Sequence, residues 1–198
     1  MPSVISPNPN DPRVIRTRQL IYDSFATLLN TMDFNSITIQ DITRQATINR
    51  ATFYAHFPDK YALLEAFLSN AFTELVLRKI EEQALLTEET LHTLVEALCE
   101  YHESSHHCLK KYDSLALIIE ENIKLQLEQL LHQLLSRSNN TAGNAALQTA
   151  STLLSWSIYG VTYRWNKEGR QEPPAALAGR LVPLISGGVS TLNAPDTE

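Results

Sequence analysis

Two helix-start signals stand eleven residues apart in this chain, at Thr38 and Asn49, and they constrain its fold more than any other feature. A Thr or Asn at a helix start accepts a hydrogen bond from a backbone N–H that has no partner inside the helix. Asp41 follows Thr38 by three residues, a weak form of the capping box. The short run between the two signals carries Ile39, Ile42 and Ala46 at helical spacing. Asn49 then opens a second short run, through about His56, with Phe53 and Phe57 four residues apart as its buried face. Pro58 closes that run. Two short helices joined by a three-residue turn make a helix-turn-helix.

Helical periods run through the rest of the chain, and no stretch of any length alternates as a strand would. The first helix is predicted from about Arg13 to Met32, with Ile21, Phe25, Leu28 and Met32 on one face; "FNSI" breaks it. Asp59 can cap a long fourth helix bearing Leu64, Leu68, Ala71 and Leu75. "TEETLHTLVEALCEYHESSHH" places Leu91, Val95, Leu98 and His102 on one stripe. "DSLALIIEENIKLQLEQLLHQLLS" does the same with Ile119, Ile123, Leu127, Leu130 and Leu134. A long helix from about Ala142 to Glu168 ends at Gly169, a fitting C-terminal cap. Pro-Pro opens the last helix, with Leu177, Leu181 and Leu184 on one face. The expected fold class is all-α: an N-terminal three-helix helix-turn-helix domain followed by a larger C-terminal helical bundle.

Net charge narrows the function. At −6 it argues against a protein that coats nucleic acid indiscriminately. The charge is uneven, because residues 11–60 carry six Lys/Arg against five Asp, and the helix opened by Asn49 lies in that less acidic segment. No apolar run reaches the roughly 18 residues of a membrane span. "MPSVISPNPNDP" has four prolines and neither region of a signal peptide, so a disordered arm over residues 1–12 and a cytoplasmic location are expected. On one continuous helix, Cys99 and Cys108 would stand roughly 13 Å apart on opposite faces, and two reduced thiols are expected.

The second helix of a helix-turn-helix can enter the major groove with its N-terminal residues at base edges. Asn49, Arg50, Ala51 and Thr52 occupy that first turn. Arg can pair with guanine, and Ala or a Thr methyl can touch a thymine methyl. Tyr54 and His56, one turn on, can reach phosphate oxygens. Lys60 at the start of the next helix would strengthen backbone binding. Thr38, Gln40, Arg44 and Thr47, from the preceding helix and turn, complete the candidate DNA-binding set.

"TIQDITRQATINRATFYAHFPDKYALLEAF", residues 38–67, resembles the DNA-binding domain of the TetR family of bacterial regulators. The resemblance is carried by Ile42 and Ala46, Thr52-Phe53-Tyr54, His56-Phe57, Asp59-Lys60 and Leu63-Leu64, and with Phe34 it extends over about residues 13–67. Thr47 departs from the pattern, since the family usually has Gly in that turn; the family often has Gly near Asp33 too. A non-Gly residue in the turn must take a strained or altered backbone. The resemblance implies a DNA-binding domain over residues 13–58 and an effector-binding and dimerisation domain over residues 59–192. It implies a dimeric repressor on a palindromic operator, released when a small molecule between the C-terminal helices moves the fourth helix. Candidate effector contacts are Phe72, Tyr101, His102, His106, Ile119 and Tyr159. Dimerisation is expected through the last two helices. Residues 142–168 support it independently, with Ala145, Ala146, Ala150, Ser151, Ser155, Ser157 and Gly160 among Trp156, Tyr159, Tyr163 and Trp165. A helix apolar on most sides must be buried.

"HESSH", His102 to His106, also matches the H-E-x-x-H zinc pattern, with Cys99 one turn earlier as a third ligand. One alternative is therefore a zinc hydrolase using His102, Glu103 and His106, and another is a regulatory metal site. A third is a helical adaptor that no longer binds DNA. The default for these histidines is polar groups lining an internal cavity or capping a helix end. No metal, cofactor or enzymatic activity is expected. The expected partners are a double-stranded DNA operator, a small-molecule effector and a second copy of the chain, with no membrane.

Overall fold

The computed structural model describes residues 11–109, 116–138 and 143–189, with the side chains of residues 105–109 outside that description. Among the described residues there are eight α-helices and no strand, the all-α class the sequence predicts. They are α1 (Pro12–Thr31), α2 (Ile39–Gln45), α3 (Arg50–His56), α4 (Lys60–Leu75), α5 (Glu88–Leu109), α6 (Ala116–Ser138), α7 (Asn144–Lys167) and α8 (Pro174–Val189). The chain divides into two compact units, one built on residues up to Leu68 and the other from Ser69 onward, residues 108–116 apart.

In the first unit, the Asp11 carboxylate accepts from the Arg13 N–H at 2.8 Å, and Pro12 occupies the start of α1, where its missing N–H costs nothing. Asp11 and Pro12, read from sequence as the end of a loose arm, thus begin the first helix; residues 1–10 of that arm lie outside the described residues. The buried row of α1 is Ile21, Tyr22, Ser24, Phe25 and Leu29. Leu28 and Met32, expected on that row, are half-buried. Met32 is already extended, with φ −130° and ψ 150°, so its side chain leaves the helical face. A 3-10 turn over Phe34–Ser36 leads to α2. Phe25 meets Phe34 and Phe67 edge-on at ring separations of 6.2 and 5.6 Å, so the first turns of α4 close this core. Asp59 caps α4, its Oδ1 accepting from the N–H groups of Tyr61 and Ala62 at 2.8 Å each.

In the second unit, α5 buries Leu91, Val95, Leu98 and His102 as predicted. On α6, Ile119, Ile123, Leu127 and Leu134 are buried, while Leu131 rather than Leu130 continues the row after Leu127. The end of α7 reverses through Gly169 at φ +89°. There the Arg170 N–H reaches the Trp165 carbonyl at 3.0 Å and the Gly169 N–H reaches Asn166 at 3.4 Å. These two bonds define a Schellman cap. Helix α8 packs on α7 and buries Leu177, Ala178, Leu181, Val182 and Ile185. Leu184, expected beside Leu177 and Leu181, is 77% exposed. It lies about 90° round the helix from the middle of that buried row.

Candidate nucleic-acid interface

Polar side chains set the two short helices. Thr38 Oγ1 accepts from the Asp41 N–H at 3.2 Å, and Asp41 Oδ2 accepts from the Thr38 N–H at 3.0 Å. Both halves of the capping box are therefore present, with Asp where the longer Glu or Gln is usual. The Thr38 hydroxyl and N–H, both donating to Asp41, hold its carboxyl below the ordinary range. Asn49 Oδ1 accepts from the Thr52 N–H at 2.7 Å and from the Thr52 hydroxyl at 3.0 Å, which starts α3. Between the helices, Thr47 N–H reaches the Arg44 carbonyl at 3.2 Å and Ile48 N–H reaches Thr43 at 3.0 Å. This is again a Schellman cap, with Thr47 at φ +54° in the position that favours glycine. The departure seen in the sequence is absorbed as strain in one β-branched residue, and the turn keeps its hydrogen bonds.

The caps place a polar first turn of α3 in solvent. Asn49, Arg50, Ala51 and Tyr54 are exposed, Tyr54 to 48%, while Thr52 and His56 are half-buried. Phe53 and Phe57 face inward as predicted. Thr38, Gln40, Arg44 and Thr47 are exposed on α2 and the turn. The two helices pack directly, so these side chains belong to one rigid element. Burial, and then the nearby Arg18 guanidinium, push the His56 imidazole below its ordinary pKa. The free protein thus disfavours the charged imidazole, and a ring N–H remains for a phosphate oxygen. Sequence reading overlooked Arg18. Its guanidinium carbon lies 4.8 Å from the Phe57 ring centre, and it donates to the Tyr22 hydroxyl at 2.9 Å. The i,i+4 spacing of Arg18 and Tyr22 was the available signal.

The Lys60 side chain is engaged within the chain. Its ammonium does not project as a free cation for DNA backbone. It donates to the carbonyls of Phe34 at 3.0 Å, Asn35 at 3.1 Å and Ile37 at 3.0 Å, and lies 4.6 Å from the centre of the Phe34 ring. An ammonium has three N–H donors, and all three are engaged here. The cause is the 3-10 turn over Phe34–Ser36, whose carbonyls point at the start of α4.

The candidate effector residues lie in the second unit. Phe72 and Tyr101 meet at 5.8 Å between ring centres, and His102 stands 5.8 Å from Tyr159, making one buried aromatic cluster. Ile119 is buried on α6. The His106 side chain lies outside the described residues. Two cavities, of about 390 and 380 Å³, are lined by other residues. The first includes Arg164, Trp165 and Arg180, the second Gln126, Gln133 and Arg137. His102 Nε2 lies 3.2 Å from the Thr162 hydroxyl, and desolvation pushes its pKa down from 6.5 to about 4. The Thr162 hydroxyl thus partners the one ring nitrogen that His102 turns toward α7, as a hydrogen-bonded core histidine would have it. Cys99 is buried, and burial, with the nearby carboxylates of Glu103, Glu96 and Glu100, raises its thiol to about 12. Among the described residues no three His, Cys, Asp or Glu side chains gather as metal ligands.

A helix-turn-helix with an exposed Asn-Arg-Ala first turn defines a DNA-binding domain. The family model for bacterial regulatory proteins of the tetR family matches residues 18–67, the segment that holds this helix-turn-helix. It is 30% identical over 182 residues to the HTH-type transcriptional regulator YxbF of Bacillus subtilis (strain 168), covering 88% of this chain and 46% of that protein. It is 33% identical over 67 residues to the dhaKLM operon transcriptional activator DhaS of Lactococcus lactis, covering 34% of this chain and 36% of DhaS. The aligned regions thus span less than half the length of either relative. Among solved structures, the dihydroxyacetone kinase operon activator DhaS superposes with a TM-score of 0.62 at 19% identity, covering 89% of this chain and 98% of that one. The TetR family repressor AlkX from Dietzia superposes at 0.57 with 18% identity, covering 87% and 97%.

Proposed function

We propose that the chain is a homodimeric transcription repressor that binds a palindromic operator and leaves it when a small molecule binds. Residues 13–58 serve as the DNA-binding domain, and residues 59–192 hold the effector and form the dimer. The protein works in the cytoplasm; among the described residues no helix is long and apolar enough to cross a membrane. The observation that carries the reading is the exposed first turn of α3, Asn49-Arg50-Ala51, on a TetR-family domain. The duplex partner follows from it: Arg50 reads a base, Asn49, Ala51 and Thr52 touch neighbouring base edges, and Tyr54 and His56 hold phosphates.

The dimer is supported by a stripe that a lone chain leaves in water. Leu153, Trp156 and Tyr163 on α7 are exposed, with Gly160 between them, and Leu184 on α8 is exposed as well. Covering these faces with their symmetry mates would remove apolar surface from water, and a palindromic operator asks for two α3 helices roughly 34 Å apart, one turn of B-DNA. Leu184→Glu is expected to turn the dimer into a monomer at micromolar concentration in analytical ultracentrifugation. Leu184 touches little within its own chain, so the monomer should stay helical; a stable Leu184→Glu dimer would place the interface elsewhere.

The direct test is recovery of genomic fragments by the purified protein. Wild type is expected to enrich one palindrome, and Arg50→Ala to lose about 1–3 kcal/mol at one base position of each half-site. No enriched sequence would sink the regulator reading, and equal loss at every position would remove Arg50 from base reading. AlkX is described as a repressor and DhaS as an activator, so a reporter decides the sign. Repression predicts that transcription beside the palindrome rises when the protein is absent.

A further inference from the structure

We infer that Lys60 is a positioning residue for DNA recognition: its ammonium, seated on the Phe34, Asn35 and Ile37 carbonyls, sets the start of α2 against the start of α4 and governs affinity without touching DNA. The inference rests on the DNA-binding reading and gives one of its candidate contacts a different role.

Three observations carry it. The first is saturation. The three bonds, at 3.0, 3.1 and 3.0 Å, use every donor that a lysine has. A phosphate could be reached only by breaking at least one of them. The second is the character of the socket. Its carbonyls belong to a 3-10 turn and its cap; the Phe34 carbonyl also accepts from the Ile37 N–H at 3.1 Å, and a carbonyl has a second lone pair for the ammonium. The Phe34 ring, itself fully buried, offers its face at 4.6 Å. Together they replace water around the charge. The third is position. Ile37, the last carbonyl of the socket, directly precedes Thr38, the cap of α2, and Lys60 directly follows Asp59, the cap of α4. One side chain thereby ties together the backbone at two helix starts, 23 residues apart from Ile37 to Lys60. Displacement of the start of α2 moves Gln40, Arg44 and, through the packed turn, α3.

A phosphate contact and a positioning residue differ in salt dependence. Removing a phosphate contact lowers the slope of log affinity against log salt by about 0.9. Removing a positioning residue lowers affinity at every salt concentration and leaves the slope unchanged. They differ also in tolerance of arginine. A guanidinium serves a phosphate as well as an ammonium does, but a planar fork cannot converge on three carbonyls around one nitrogen.

The experiment measures binding of the wild type, Lys60→Met and Lys60→Arg to the palindrome that the wild type selects, and to a scrambled duplex of equal length, across a salt series. Circular dichroism checks that each variant is folded at the assay temperature. Both variants are expected to bind each duplex roughly tenfold more weakly or worse, with the wild-type slope. A shallower slope for Lys60→Met with wild-type affinity for Lys60→Arg would overturn the inference in favour of a phosphate contact. Unchanged affinity in both would remove Lys60 from recognition altogether. If Lys60→Met does not fold, Lys60→Gln, whose amide still donates to part of the socket, takes its place with the same criteria. A wild type that binds no duplex would overturn the DNA-binding reading and this role with it, a result that no variant can mimic.

Discussion

The two units hold their helices in place by different means. In the first, α2 and α3 have seven residues each, too short to persist on propensity alone. Their ends are fixed by side chains: Thr38 with Asp41, Asn49 with Thr52, and Lys60 on the turn before α2. In the second, α5, α6 and α7 run for 22, 23 and 24 residues and are held along their sides. Helix α7 even begins at Gly143 with no side-chain cap. Where ends carry the structure, a few residues at fixed spacing decide it. Where faces carry it, a residue's role depends on which neighbours it meets.

The largest effect that can break this comparison is a pH effect on a face. His102 is 2% exposed, with Tyr101, Tyr159 and Tyr163 around it and Thr162 at its Nε2. Its pKa falls from 6.5 to about 4 on burial. Well above pH 6.5 the imidazole is neutral in both the folded and the unfolded chain, and the stability from its burial is complete. As pH falls below 6.5 the unfolded chain takes up a proton that the folded chain refuses. Stability should therefore drop between about pH 6.5 and 4, by on the order of 3 kcal/mol in full. Urea melts from pH 7.5 to 4.5 read this directly, with His102→Gln as the control expected to flatten the slope. An unchanged slope in His102→Gln would assign the acid sensitivity to other groups.

The next effect sharpens the contrast between ends. Asn49→Ala removes a cap from a seven-residue helix and is expected to cost about 1 kcal/mol. Gly143→Ala puts a poorer N-cap at the start of a 24-residue helix but removes freedom from the unfolded chain, and the two offset to only a few tenths of a kcal/mol. Hydrogen exchange of the α3 and α7 amides measures each opening locally. Comparable losses at both sites would mean that ends matter equally in the two units.

The same contrast explains what could be read from the amino-acid sequence. Thr38, Asn49, Phe53 and Phe57 were legible because capping and burial on a short helix depend on residues three or four positions apart. The buried rows of α5 and most of α6 were legible from helical period. Leu184 was not, because the period shows that a helix has an apolar side without showing where the side ends. What Lys60 touches was not legible, for a different reason. Its partners are 23 to 26 residues away, and its charge beside a helix-turn-helix suggested a phosphate. His102 was legible as an inward residue, whereas Thr162, its partner 60 residues on, was not.

The smallest effect compares two helix ends of identical hydrogen bonding. Thr47 after α2 and Gly169 after α7 both reverse the chain in the left-handed region, at φ +54° and +89°. Each N–H bonds back to a carbonyl three residues earlier, and the N–H after it to one five residues earlier. The ends differ in side chain and in the next residue, since Arg170 after Gly169 is left-handed too, at φ +56°. A β-branched residue there is strained, and glycine relieves the strain while giving the unfolded chain more freedom. The balance favours Thr47→Gly by roughly 0.5–1 kcal/mol. A Cβ at Gly169 would meet nothing within 4 Å, so Gly169→Ala tests conformation without a clash, and it is expected to lose a similar amount. Opposite signs in urea melts would show that the turn between α2 and α3 stores strain, because each substitution changes only whether a side chain sits on a left-handed residue. If Thr47→Gly proved neutral or destabilising, Thr47 would have to be holding the turn through contacts that outweigh its backbone strain. Operator affinity of Thr47→Gly then separates its two candidate roles. A more stable protein that binds the operator less well would mean that the threonine also contacts DNA, and unchanged affinity would leave it a role in the turn alone.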